Sequence, residues 1–452
     1  VFDAYGQGSN PELNGSEILI NWSVITIDGV KVYYIPLNYD PKQIYENNFR
    51  LEKRVSKDNL ATGSWFWDSI TSQLFIRTIM DDHPNNSLIE ASYREYCGQI
   101  IGNKYITVRN ITFSKARNKG LYITGNSGNI TVDNVIVERN FQEGFKIDAD
   151  GHDIRNVSLY GVEAMYNGHH GLSASTVNLG DDFDSLKVEN CISHHNCWDE
   201  NRVWSGGIYL FDPHNETSNV IVRGGLYYSN GIENPGTERG YGIHLDTMGE
   251  YCIVIQNICY GNSKAGIQIE YDGNLTNNSL VAYNLTYDNT WGILVSRRSH
   301  NTKVLNNVCY NNMIGISVKG EAGGDPIGMK NIQILNNISV NNNQRNLVAK
   351  LGGENDGING EKNIYSHNCF GTESNKMIQW GDEILTNYNQ WEDIYGDSTN
   401  SVMNDPLFTN PPLDFSLTHN SPCIDSGINV GLERDFNGLL LWQGKSVDLG
   451  VY

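Results

Sequence analysis

The chain has no run of about 20 apolar residues, so no membrane-spanning helix is expected. It is also short of positive charge: Lys and Arg number 32 against 52 Asp and Glu, a formal net charge of -20. That excludes nucleic acid, which needs a basic face, and argues against an anionic membrane surface. No CxxC pair occurs among the eight cysteines. No segment joins a helical period to capping residues, so helices are not expected. There is no initiator Met and no signal peptide, and Val1 is read as the start of a processed or excised fragment. With this acidity the chain suits a secreted or cell-surface setting.

What is abundant is Gly, Asn and one recurring phrase. The phrase is Gly, apolar, outward residue, apolar, outward residue. It reads Gly120-Leu-Tyr-Ile-Thr124, Gly144-Phe-Lys-Ile-Asp148, Gly171-Leu-Ser-Ala-Ser175 and Gly207-Ile-Tyr-Leu-Phe211. It continues as Gly242-Ile-His-Leu-Asp246, Gly266-Ile-Gln-Ile-Glu270, Gly292-Ile-Leu-Val-Ser296 and Gly315-Ile-Ser-Val-Lys319. Alternation of period two marks one short strand per repeat. A second phrase opens each repeat, as in Ile130-Thr-Val-Asp-Asn-Val-Ile-Val137 and Ile332-Gln-Ile-Leu-Asn-Asn-Ile338. The anchor glycines are 24, 27, 36, 35, 24, 26 and 23 residues apart. Coils of that length with three short strands fit an all-β parallel β-helix, whose core grows along one axis and so suits 452 residues. Asn and Gly suit its sharp turns because both tolerate positive φ.

Residues 1–100 are less periodic and are read as an N-terminal cap and irregular β region, with strands over Ile18–Ile27 and Val30–Ile35, and with Leu60–Asp68 followed by Ser72–Thr78 as a hairpin or a first irregular coil. Residues 101–360 carry the coils and the active face. Residues 361–452 close the same structural domain as final coils and a C-terminal cap. Two coil intervals are overlong. Their extra residues fall at Thr176–Ser185, Cys197–Trp204, Asp212–Ser218 and Gly231–Arg239, and in a repeat array such insertions become loops beside the binding face.

Parallel strands stack about 4.8 Å apart, so equivalent outward residues form ladders. The second outward ladder places Asp246 and Glu270 on adjacent coils. Two carboxylates that close cannot both ionise freely, so one is expected to stay protonated, as a glycosidase acid does beside its charged partner. A water-screened pair or a cation site is the bland alternative. His244 shares the strand face of Asp246, and Gln268 that of Glu270. Lys146, Arg297 and Arg298 are expected to clamp a carboxylate or sulfate on a substrate, with Asp148 beside Lys146 on the substrate-binding face; the alternative is that Lys146–Asp148 and Arg298–Glu270 are surface ion pairs. Tyr209, Phe211, Trp204, Trp291 and Tyr241 lie near the same face, where sugar rings can stack, and Asp212 opens the adjoining loop. Asp181, Asp182 and Asp184 form an acidic cluster that could hold Ca²⁺, although without the spacing of a known calcium loop. No cofactor is otherwise required. His169-His170 and His194-His195 are read as polar lining. The cysteines are read as buried thiols, with a disulfide such as Cys191–Cys197 open. Eleven Asn-x-Ser/Thr sequons, from Asn14 to Asn337, are either glycan acceptors or chance products of an Asn-rich coil.

The Gly-anchored coils, together with Asp414-Phe-Ser-Leu-Thr418, Ser421-Pro-Cys-Ile-Asp-Ser-Gly427 and Asp448-Leu-Gly-Val-Tyr452, resemble right-handed parallel β-helix proteins that act on carbohydrates. Asp246 and Glu270 are similar to the catalytic pair of β-helix glycoside hydrolases, xylosidases included, and the Trp65-Phe-Trp-Asp68 segment is similar to one that precedes the coils in such hydrolases. The resemblance implies that Asp246 is nucleophile or base and Glu270 the acid. The Asn-rich, acidic, sequon-dense character resembles surface proteins of methanogenic archaea, disaggregatases among them, which break down a chondroitin-like polymer. The implied partner is an acidic polysaccharide. A polysaccharide lyase of the same fold, with Lys146, Tyr209, His244 or Arg298 as base and Ca²⁺ on the carboxylates, and a non-enzymatic adhesin remain the alternatives.

Overall fold

The computed structural model describes residues 1–176, 178–214, 217–233, 235, 238–248, 250–271, 278–320, 329–350, 362–440 and 444–451. The sequons at Asn215, Asn274 and Asn277 lie outside them. The chain is a right-handed parallel β-helix of about nine turns. Each coil contributes three strands, for example Ile253–Ile255, Ile258–Tyr260 and Ala265–Tyr271. The strands stack into three long parallel sheets. The second phrase of each repeat is two strands joined by one left-handed residue, such as Asn134 at φ 50° or Asn306 at φ 53°. The Gly phrase forms the third strand, and its inward Ile, Leu and Val side chains make one continuous buried core.

Two features of the sequence are explained by how closely coils approach. A Cβ on Gly144 would lie 2.6 Å from the amide of Asn167, and one on Gly242 would lie 2.5 Å from the carbonyl of Gly266. The anchor position therefore admits only Gly. The Asn residues do more than turn the chain. Asn140, Asn167, Asn196, Asn230, Asn262, Asn289, Asn312 and Asn342 form a buried ladder, each giving its backbone N–H and its side-chain N–H to the next amide oxygen. A second ladder runs through Asn257, Asn284, Asn307, Asn337 and Asn368. These amides satisfy corner backbone groups that water cannot reach. The sequons at Asn284 and Asn337 are fully buried in this second ladder and cannot carry glycans.

The two ends are built differently from the coils. Phe2–Asp3 and Glu12–Asn14 pair with the first coil in parallel. Antiparallel strands then form a separate small core around Trp22, Trp65 and Ile76. Ser23–Ile27 with Val30–Pro36, and Ser64–Asp68 with Gln73–Arg77, are its hairpins. At the other end the expectation of no helix is corrected. Tyr388–Tyr395 is an α-helix capped by Asn387 and by left-handed Gly396. Its Trp391 packs with Trp380 and Phe370 over the end of the core. The closing segment does not lie over that end. It runs back along the flank, where Phe415 meets Tyr287 and Tyr310, and Phe436 packs beside Leu305. All eight cysteines are free thiols, so Cys191 and Cys197 are not bridged.

Candidate active site

The outward ladder falls in the register that the repeat implies. Phe211 pairs with Asp246, Asp246 with Glu270, Glu270 with Ser296 and Ser296 with Lys319. Four consecutive strands here are unusually long: Ser205–Phe211, Arg239–Asp246, Ala265–Tyr271 and Trp291–Arg297 run 7 or 8 residues. Strands in the flanking sheets of the same coils have 3. The extra paired backbone makes this stretch of the face a rigid floor.

On that floor one nitrogen of His244 and one oxygen each of Asp246 and Glu270 all lie within 4.8 Å of one another. His244 is fully buried and Glu270 nearly so, whereas Asp246 is partly exposed. His244 Nε2 is 3.1 Å from Glu270 Oε2, and the Gln268 amide donates to the same oxygen at 2.5 Å. Arg297 Nε lies 2.5 Å from Glu270 Oε1. Asp246 accepts from the Tyr209 hydroxyl and from the Thr247 hydroxyl, each at 2.8 Å. Tyr209 is held by stacking on His170, with ring centres 4.6 Å apart.

These partners bear on the roles of the two acids. Burial alone would raise the Glu270 pKa, but the His244 hydrogen bond and charge, the Arg297 charge and the Gln268 amide outweigh it and hold the carboxyl below its ordinary value. Glu270 is therefore an ionised carboxylate rather than a resting proton donor. Burial and the neighbouring Asp246 charge push the Tyr209 phenol far up, so it stays protonated and donates.

Glu270 lines two clefts, and Asp246 lines one of them. One, of about 350 Å³, is lined by Trp204, Tyr209, Phe211, Pro213, Asp246, Thr247, Glu270 and Arg297. The other, of about 360 Å³, is lined by Gln268, Glu270, Trp291, Leu294, Ser296 and Arg297, with Trp204, Glu238, Lys264, Lys319 and Gly320 at its edge. Trp204, Glu270 and Arg297 belong to both. Three of the four insertions supply wall residues: Trp204, Pro213 and Glu238.

Other expected site residues lie elsewhere. Lys146 and Asp148 are three coils upstream, outside both clefts: Lys146 is buried against Ser175, and Asp148 accepts from Tyr122. Asp212 is fully buried and braces its own loop by accepting from the backbone of His214 and Thr217. Arg297 makes the ion pair with Glu270, and Arg298 lines neither cleft. The expected calcium cluster does not converge. Asp181 accepts from Gly151, Asp182 faces Arg155, and Asp184 accepts from Ser218. His194 and His195 sit on a neighbouring sheet with Tyr166 and Tyr228. Thr247, Lys264 and Glu238 were not visible as site residues, since each lies just outside the repeated phrase.

A second group, Glu143, His169 and His170, also brings metal-ligating atoms within 4.8 Å of one another. Its donor set is poorly suited to a cation, because the Gly206 N–H occupies His170 Nδ1 at 3.3 Å and Lys119 stands 3.8 Å from Glu143. Arg297 closes the His244 group in the same way.

No family model matches the sequence, and no curated protein matches it. Among solved structures, the chain is similar to XylC in complex with xylose at 12% identity, covering 74% of this chain and 65% of that one, TM-score 0.48. It is similar to pectate lyase Pel9A at 15%, covering 78% and 86%, TM-score 0.48. It is also similar to the Dettilon tailspike protein at 13%, covering 63% and 55%, TM-score 0.41. The chain thus spans less than two thirds of the length of XylC and of the tailspike. No helix among the described residues is long and apolar enough to cross a membrane.

Proposed function

We propose that the protein is a secreted or surface-bound enzyme that hydrolyses glycosidic bonds of an acidic, chondroitin-like polysaccharide. The observation that carries this reading is the Asp246–Glu270 pair at the junction of two clefts walled by aromatic rings. Sugar rings stack on such walls, and a bond spanning the junction lies over both carboxylates.

The partners of the two acids divide the work between them. The Arg297 guanidinium can only donate, and Gln268 turns its NH₂ toward the same carboxyl, which favours the charged form of Glu270. Tyr209 and Thr247 offer hydroxyls, which can donate to an ionised Asp246 or accept from a protonated one. Glu270 is accordingly the nucleophile. Asp246 delivers a proton to the leaving oxygen, then recovers one from the water that releases the sugar. One oxygen of each acid lies within 4.8 Å of the other's, which favours the closely spaced, retaining arrangement.

The test is incubation with chondroitin and polyuronates, following reducing ends and ultraviolet absorbance together. New reducing ends without absorbance, lost in both Asp246→Asn and Glu270→Gln, are expected. Absorbance from unsaturated products would assign a lyase instead. No product from any polymer would leave a binding protein.

A further inference from the structure

The two clefts differ in charge. Among the described residues, the cleft on the Asp246 side holds two carboxylates, Asp246 and Glu270, against one cation, Arg297. Apart from Pro213, the rest of its described wall is aromatic or hydroxylic. The cleft on the opposite side of Glu270 has, among the described residues, three cations, Lys264, Arg297 and Lys319, against two carboxylates, Glu238 and Glu270. Four of these five charges are already engaged. Lys264 Nζ lies 3.1 Å from Glu238, and Arg297 is on Glu270. Lys319 is exposed and has no carboxylate partner among the described residues. Its register neighbour Lys350 is paired with Asp382 at 2.6 Å, so it adds no second free charge. In a chain of net charge -20, a cleft with positive charge in excess is an exception.

The floor beneath Lys319 suits a pyranose. Leu294 is buried, and the Trp291 ring stands at the wall with Lys264 Nζ 5.0 Å from its centre. The ammonium over the ring and the cluster of Tyr241, Ala265 and Leu294 packed against it hold the indole in place at the wall.

We infer that the two clefts are subsites of opposite preference: the Trp291–Lys319 cleft takes the acidic sugar, through its carboxylate or sulfate on Lys319, and the Tyr209–Phe211 cleft takes a neutral one. The inference rests on the proposed carbohydrate function and sharpens it. A polymer alternating acidic and neutral sugars binds in one register, so only one of its two linkage types lies over Asp246 and Glu270.

Binding and bond choice test this separately. Affinity for chondroitin oligosaccharides and their carboxyl-reduced counterparts is measured by calorimetry on Glu270→Gln protein, which holds the ligand without turnover. The acidic form is expected to bind more tightly, with a preference that falls as salt rises. Adding Lys319→Gln is expected to cut acidic affinity about three- to tenfold and to erase the preference, while Lys319→Arg keeps it. Lys350→Gln, the same charge change outside the cleft, is expected to leave it intact. Equal affinity for both probes, or equal loss from both lysine changes, overturns the inference. In active protein, every product is expected to carry the acidic sugar at the same end, and mixed ends also overturn it. Charge-selective binding without cleavage removes the hydrolase reading and leaves the subsite assignment standing.

Discussion

Two glutamates on this face are buried to a similar degree, and they differ in what surrounds them. Glu143 is 7% exposed and Glu270 4%. Each has an imidazole beside it, His169 at 3.4 Å and His244 at 3.1 Å, and a cation close by. In both, burial pulls the pKa up and the neighbours pull it further down, to about 2 for Glu143. Only Glu270 opens on a cleft, and only Glu270 has a second carboxylate in register. Glu143 has Lys119 and the buried Lys146 instead. A strongly shifted carboxylate is thus not a sufficient sign of a site. Access and a partner of like charge are what separate the two.

The sharpest way to break this contrast is substitution. Glu270→Gln and Asp246→Asn are each expected to lower turnover about 10²–10⁴-fold. Glu143→Gln is expected to leave turnover unchanged in rate assays, although, like Glu270→Gln, it lowers stability by about 1–3 kcal/mol in denaturant titrations. A large activity loss in Glu143→Gln would merge the two groups into one site.

The pH dependence sharpens the same point. Glu143 sits at about 2 in the fold against 4.5 for an unperturbed side chain. A carboxyl depressed on folding stabilises the protein above its unfolded pKa, and that stabilisation is lost as pH falls toward the folded value. The gap in unfolding midpoint between wild type and Glu143→Gln is therefore expected to be full above about pH 5 and to close between about 4.5 and 2. Smaller again is Tyr209→Phe, which removes one hydrogen bond to Asp246. Turnover is expected to fall about fivefold, from about 1 kcal/mol for one hydrogen bond.

Much of this was legible in the sequence because a repeat converts spacing into place. The phrase from Gly120 to Lys319 put Asp246 over Glu270, and the overlong coils located Trp204 and Pro213 at the cleft. What was not legible depended on contacts between coils. Nothing local distinguishes Arg297 from Arg298 as the partner of Glu270, nor ties Asp212 to its own loop rather than to a substrate. The surroundings of Glu270 were hidden for the same reason: like charge on Asp246 is visible in the phrase, while His244, Gln268 and Arg297 converging on Glu270 are not. Asn was understood as a turn former, whereas its side chains also stitch each coil to the next.

That stitching has a consequence for how such a chain can change in length. Every rung of the Asn140–Asn342 ladder offers donors toward the following coil and an acceptor toward the preceding one. The edges left by excising one complete turn are the same edges that turn had joined. Whole turns are thus interchangeable modules, and a gene could lengthen or shorten the groove in steps of one sugar-sized increment while the carboxylate pair stays untouched. A cut through part of a turn has no such freedom, because it leaves an amide facing a missing mate.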